Sequence, residues 1–536
     1  MPCQYKLAGH FFKITIMKYS LILIAILIPL LSAKAQDYHN QRFDRQRMIV
    51  DVLTSGCINL DPNDPLTRVG TLIDFNDDSL SFSTVDTLFQ SENEVKFYQY
   101  TNSAQICNKE GKFTAFYNGQ YLYDRYGNKE ELLMMKESPD PYPNYKYSNR
   151  SVILPYISED STYILFTPTE HVNDPSYDVP TATRISSLTF KELPNGKLKI
   201  LNFTPIIIEG KFCALGTLSA VRHANGRDWW IVAPERLRKK VHTFLFTPKG
   251  FTNINEQITQ DTTGDYGLAP EFSPDGQWYT RTNVVVIAPK MNKSTVQFYK
   301  FNRCSGIFED QITFDLEYED TSNVVQVIFE KNSRYFYIMN FLTIYQGDIQ
   351  SSDIKGSLIR IAKSLPYVQF GQHMGFGVGF LAPNDKIYVF DGQPIFYGST
   401  INNPSERGIA CDFKYEDIIY PACTSYSLGN MPNFNLGPLD GSPCDTLGLD
   451  NPLAIEKDTK QHIEYNIFPN PGNSLIHTDY NFERKDLKMK LLDFRGKVIM
   501  NTNAISLKTG IDISGIAPGV YFVIIEGMPV KKLIKI

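Results

Sequence analysis

Between Val221 and Ile231 the chain gathers Arg222, His223, Asn225, Arg227, Asp228, Trp229 and Trp230. Two guanidinium groups, an imidazole, an amide, a carboxylate and two indoles make a set that can bind or catalyse. The indoles offer amphipathic faces on which a sugar or peptide can stack, and the charged groups can fix its orientation. The same residues also read as a turn between strands. Asn225-Gly226 suits the left-handed region, Arg227 and Asp228 can pair, and the tryptophans can pack between neighbouring sheets. The second reading is the stronger, because buried indoles and paired charges are ordinary in packed β-structure.

Other chemistry is sparse. The chain has 58 Asp and Glu against 53 Lys and Arg, and no acidic pair sits at a spacing that implies one site. A glycosidase needs two carboxylates roughly 5 to 9 Å apart, which spacing along the chain does not reveal. No HExxH is present, and the seven His left after the leader are scattered, which excludes a zincin. No GxSxG marks a serine-hydrolase elbow. Gly371, Gly375, Gly377 and Gly379 lie among strands with no helix following, so they read as sheet packing and not as a phosphate loop. Asp61, Asn63 and Asp64 lack the distant Glu of a calcium loop. No cofactor is expected. The near-balanced charge, net −5, gives no basic field for nucleic acid.

The elements that must position these groups are strands. Aromatic residues make up 13% of the chain, and no stretch from 66 to 440 keeps helical periodicity over three turns. Phe272-Ser-Pro-Asp-Gly-Gln-Trp278 is the clearest punctuation: Pro274 presets φ, Gly276 accepts positive φ, and aromatic strand residues flank the turn. Variants recur at Asn225-Gly226, at Glu330 to Tyr335 around Ser333, and at Ala382 to Tyr388 around Asp385. A turn at Gly111 lies further upstream. A period near 50 residues with four short strands per unit predicts the blades of a β-propeller. Six units are recognisable. A seventh would close the ring if the strand near Ile73 paired with one near Asn433, and six or eight blades stay open as alternatives.

The two ends carry a different signal. Lys18, the apolar run Leu21 to Leu31 and Ala33-Lys-Ala35 form a secretory signal over residues 1–35, with Met17 a plausible true start. Residues 36–65 read as a lead-in, 66–434 as the propeller, and the Gly- and Pro-rich 435–463 as a linker. No later run is long enough to span a membrane, so the mature chain is expected to be soluble once exported. Seven Cys follow the leader, and export permits disulfides. Cys411 with Cys423 is the closest pair, and Cys57 with Cys107 is another possibility. At least one thiol stays free.

Residues 464–536 hold ordered motifs: Phe468-Pro469-Asn470-Pro471, then Asp493 with Gly496-Lys497, then Gly519 and Tyr521, then Lys531-Lys532 near the end. Together they resemble the type A C-terminal sorting domain of the type IX secretion system of Bacteroidetes, with Phe468 in place of the usual Tyr. The resemblance implies a small Ig-like β-sandwich, recognition by that secretion machinery, and removal or membrane attachment of the domain. The Phe272 to Trp278 turn resembles the WD40-like PD40 repeat of exported propellers. Val221 to Trp230 and Gly437 to Cys444 are similar to a recurrent class of Bacteroidetes propeller proteins carrying this tail, a class with no activity to transfer. The expected product is an all-β exported protein that binds a protein or glycan, with a hydrolase acting at the propeller axis as the alternative.

Overall fold

A computed structural model places the chain in two compact units, residues 1–451 and 452–536. The first is described at 41–49, 71–75, 80–84, 104–119, 121–130, 151–172, 181–213, 218–235, 240–259, 270–284, 293–317, 324–340, 342–364, 375–391, 395–424 and 430–447. The second is described at 465–480, 488–493, 496–503, 510–525 and 530–536. The leader, Cys57, the Asp61 to Asp64 loop and Gly371 lie outside the described residues.

The described residues form strands joined by turns and loops, with one 3₁₀ turn at Gly408–Cys411. In the first unit they form seven antiparallel sheets, each built from consecutive strands. The first sheet has three strands and the other six have four. The opening strands are Gln46–Ile49, Ala104–Cys107, Val152–Pro155, Ser219–Arg222, Glu271–Phe272, Val324–Phe329 and Phe376–Leu381. Each sheet touches the next in chain order, and the seventh returns to touch the first. The result is a closed ring: a β-propeller. The apolar clusters that hold it lie between adjacent sheets. One joins Ile73 and Phe75 of the first sheet to Phe380, Tyr388 and Tyr420 of the seventh. Each small sheet buries both faces only through its neighbours, so the ring is the stable unit.

The repeat has a physical basis in the turn after six of the seven opening strands, those whose turns are described. Gly111, Ser161, Gly226, Gly276, Ser333 and Asp385 all take positive φ there. Five of these turns close alike, with the amide of that residue donating to the carbonyl three back, as in Gly276 N to Ser273 O at 2.8 Å. Before it, a side chain accepts the turn's free amides. Ser273 Oγ takes Trp278 N at 2.9 Å, while in the sixth sheet the buried Glu330 carboxylate takes Asn332 N, Arg334 N and Tyr335 N. The change from Ser-Pro to Glu-Lys therefore keeps the function of the position by a longer route. Gly377 and Gly379 lie inside the strand Phe376–Leu381, as sheet residues.

Four sequence expectations fail here. Residues 41–49 are not a lead-in, since Gln46–Ile49 pairs with Thr71–Phe75 as the innermost strand of the first sheet. The ring does not close by pairing the Ile73 strand with one near Asn433: Ile73 pairs with Arg47 and Phe82 within its own sheet. Residues 435–447 are not a free linker, because they pack onto the propeller and end in a disulfide, Cys304–Cys444. That bridge also replaces the pairings suggested by spacing, and the Cys107 and Cys411 thiols are free and buried.

The second unit is a β-sandwich. Its sheets are Tyr465–Phe468, Leu475–Tyr480 and Ile511–Asp512 on one side, and Val498–Asn503, Lys488–Asp493, Gly519–Ile525 and Lys531–Lys535 on the other. Strict alternation along Gly519–Ile525 sends Tyr521, Val523 and Ile525 into the core with Ile476, Met489, Leu491, Ile513 and Leu533.

Candidate functional site

At the propeller axis the residues from Asn430 to Cys444 leave the last sheet and cross to sheets on the far side. Asn430 makes a parallel bridge to Ala104, and its side-chain amide donates to Ser151 O (3.1 Å) and Leu218 O (2.9 Å). These contacts lie at the starts of the second, third and fourth opening strands. Further along, Asn433 Nδ2 donates to Pro274 O at 2.8 Å, and Leu439 N donates to Ala224 O at 2.9 Å, both in the turns that end opening strands. The segment therefore runs through the axis as a strap, from the strand starts to the turn end. Phe434 anchors it, fully buried, with its ring 5.5 Å from Phe43 and 5.9 Å from Trp229.

Two buried guanidinium groups grip the strap by its carbonyls. Arg222 donates to Phe434 O at 3.2 Å and to Gly226 O and Arg227 O, with its plane 4.3 Å from the Trp229 ring. Arg303 donates to Arg222 O (2.9 Å), His223 O, Asp275 O and Gly437 O. Burial pulls its pKa down to about 10, so it stays charged at neutral pH. Carbonyl dipoles serve here where a carboxylate would otherwise be needed.

The seven residues singled out from sequence thus engage the chain itself. Trp229 and Trp230 are 0% and 1% exposed, so neither indole offers a face to a ligand. Trp230 Nε1 donates to Arg303 O at 2.8 Å. His223 accepts Asn225 N at Nδ1 (3.0 Å) and donates from Nε2 to Cys304 O (3.1 Å), which makes it the neutral tautomer. Burial holds its pKa below the ordinary imidazole value. Asn225, Arg227 and Asp228 bond one another within the turn. The packing reading of the two tryptophans fits their places: Trp229 abuts Phe434 of the strap, and Trp230 braces the Arg303 turn.

The strap also explains a detail of the repeat. A Cβ on Gly226 would sit 2.6 Å from Pro438 Cδ, and one on Gly276 would sit 2.9 Å from Leu436 Cδ2 and 3.0 Å from Arg303 Cδ. Glycine is required where the strap passes. Ser333 and Asp385 occupy the same turn position in the sixth and seventh sheets and carry side chains. Ser333 Oγ accepts Asp275 N at 3.0 Å, and Asp385 takes Lys331 at 2.5 Å.

What the strap leaves open is a cavity of about 310 Å³ on the opposite side of the axis. Its polar lining includes Asp44 just before the first sheet and Arg47 within it, Glu271 from the fifth, and Asn430, Asn433 and Asn435 from the strap. The Lys331–Asp385 pair is at its rim, and Phe272, Phe329, Leu381 and Met431 supply apolar surface. Arg47 lies 3.9 Å over the Phe380 ring. Burial raises the Asp44 carboxyl above its ordinary range, with Arg47 opposing that rise. Among the described residues no group of three or more His, Cys, Asp and Glu could hold a metal ion. Sequence reasoning assigned none of these lining residues to a site, because they come from five sheets and from a strap that spans the boundary between the expected propeller and the expected linker.

The sorting motifs take structural posts. Asn470 pins the last strand, donating to Lys532 O (2.7 Å) and accepting Ile534 N (2.9 Å) between Pro469 and Pro471, while Phe468 stays half exposed. Asp493 Oδ1 accepts Lys497 N at 3.0 Å across the turn at Gly496, whose φ is +81°. Gly519 opens the strand that carries Tyr521, whose hydroxyl donates to Ala517 O at 2.7 Å. Lys531 and Lys532 lie on the final strand opposite Val523 and Phe522.

Residues 466–536 match the family of secretion system C-terminal sorting domains. None of the curated proteins matches the chain. Among solved structures, a protein from Lactobacillus plantarum is similar at 11% identity and a TM-score of 0.36, over 72% of this chain and 98% of its own. A putative 6-phosphogluconolactonase from Bacteroides uniformis is similar at 11% identity and a TM-score of 0.35, over 88% of this chain and 97% of its own. The Dos1 propeller follows at 9% and 0.34, over 72% and 90%. Likenesses this distant transfer no activity. Among the described residues no helix is long and apolar enough to cross a membrane. The chain is a β-propeller that carries a type IX secretion C-terminal sorting domain and is directed by it to the cell surface or the exterior.

Proposed function

We propose that this protein is an exported binding module and that its ligand site is the axial cavity beside the strap, with a glycan or a protein segment as the ligand. One observation carries the reading: five sheets and the strap converge charged, amide and apolar groups on one cavity of about 310 Å³. That volume and mixed lining are typical of a site for a small ligand or a short projecting part of a larger one. The strap amides Asn430, Asn433 and Asn435 present donors and acceptors suited to hydroxyls or peptide groups. The sorting domain is the delivery signal and contributes an address, not a chemistry.

A second reading, a hydrolase at the same cavity, is favoured by the Asp44 carboxyl, which burial raises in the manner of a general acid. The test is a screen of the mature chain against glycan and peptide arrays, followed by Arg47→Ala and Glu271→Gln variants and by product analysis. Binding that falls at least about tenfold in both variants supports the module. Loss of substrate with release of product, abolished by Asp44→Asn, supports the hydrolase. Array binding untouched by all three variants removes the cavity from the account.

A further inference from the structure

The strap is a wall of the axial cavity as well as a brace. Asn430, Met431, Pro432, Asn433, Asn435 and Leu436 all line it. Yet the strap belongs to no sheet, and among the described residues its one ladder contact is the single bridge of Asn430 to Ala104. It is held by the Phe434 socket, by side-chain amides on carbonyls, by Arg222 and Arg303, and by the Cys304–Cys444 bond. That bond joins residues 140 apart in sequence, with Cα atoms 5.6 Å from each other. Cys304 sits in the turn that also supplies Arg303, and its carbonyl accepts from His223. One covalent link therefore fixes both the end of the strap and the guanidinium that grips its middle.

We propose, resting on the reading of the cavity as the ligand site, that the strap is a removable wall latched by the Cys304–Cys444 disulfide, so that the site is complete only in the oxidised protein. Both cysteines are reduced before export, since disulfides form and persist in oxidising compartments. There the two thiols lose two protons and two electrons as the S–S bond forms. The acceptor is the disulfide of an extracytoplasmic thiol oxidant, which leaves as its dithiol. Both half-cystines are half-buried and within reach of a small dithiol. The free thiols at Cys107 and Cys411 are buried, and burial raises both, so neither supplies a ready thiolate to divert the bond.

The test needs no ligand. Amide hydrogen exchange is followed on the mature full-length chain, oxidised, after reduction with dithiothreitol, and in a Cys304→Ser/Cys444→Ser variant. The dithiol closes to its ring disulfide as the protein bond becomes two thiols. We expect exchange across residues 430–447 to rise at least about tenfold in the reduced protein and in the double variant, because the strap end is then held by noncovalent contacts alone and can open locally while the sheets stay closed. Amides of the opening strands should keep their protection. Unchanged exchange in 430–447 overturns the latch. So does protection lost from all the sheets together, because the bond would then hold the fold and not the strap. A confirmed latch beside a silent ligand screen would sink the cavity's role and leave the strap standing.

Discussion

Replacing Gly226 with Ala measures whether the strap lies where the structure puts it. Two costs combine at that position. Gly226 sits at φ +72°, where an L side chain costs about 1 to 2 kcal/mol. The added methyl would also lie 2.6 Å from Pro438 Cδ and 2.7 Å from Pro438 N, so strap backbone must lift. Overpacking of that kind typically costs about 1 to 3 kcal/mol more. Gly408 supplies the control: its φ is +64°, and a Cβ there meets nothing within 4 Å. Gly408→Ala should therefore show the backbone cost alone, and Gly226→Ala should exceed it by about 1 to 3 kcal/mol. The assay is urea unfolding followed by tryptophan fluorescence, since Trp229 and Trp230 report on this region. The two substitutions costing the same would refute the placement of the strap over that turn.

Glu330 is fully buried and accepts four hydrogen bonds, three from backbone amides and one from Ser405 Oγ at 2.6 Å. Glu330→Ala should cost about 3 kcal/mol or more in the same assay, and Glu330→Gln distinctly less, because the amide keeps one accepting oxygen. His223 is held neutral and its folded pKa lies below the unfolded value of 6.5. Its stabilising effect is therefore present above about pH 6.5 and declines as the pH falls below that, the unfolded chain binding the extra proton. Thermal midpoints of the wild type should drop more steeply than those of His223→Gln between about pH 7 and 5, and parallel curves would count against the neutral tautomer. Deleting residues 466–536 should leave the protein in the periplasm on cell fractionation, and unchanged surface display or secretion of the truncated form would contradict its role as the address.

Repeats and address were legible in the sequence because both are written locally. Asn225-Gly226 and Pro274-Asp-Gly276 announce their turns through residues that tolerate the required φ, and four ordered motifs mark the sorting domain. The turn at Ser161 was missed: no Gly or Pro marks Glu159-Asp160-Ser161, although Ser161 takes φ 55° all the same. The strap was misread for the opposite reason. Gly437, Pro438, Gly441 and Pro443 have the composition of a linker, and nothing nearby in sequence shows that Arg222, Arg303 and Cys304 will hold them. Closure of the ring went wrong for the same cause, since every sheet takes its strands from one stretch of chain and the far-reaching contact belongs to the strap. That the tryptophans pack was legible, but their partners were not. On one strand Trp229 faces Phe434 and Trp230 faces the Gly306 turn, and both are lost to solvent.

The most direct measurement is hydrogen exchange of the mature chain with and without the strongest ligand from the glycan and peptide arrays. The account predicts slower exchange confined to the opening strands around Arg47, Glu271 and Gly379 and to the strap from Asn430 to Leu436. Slower exchange on the outer strands of the sheets, with the axis unchanged, would contradict it.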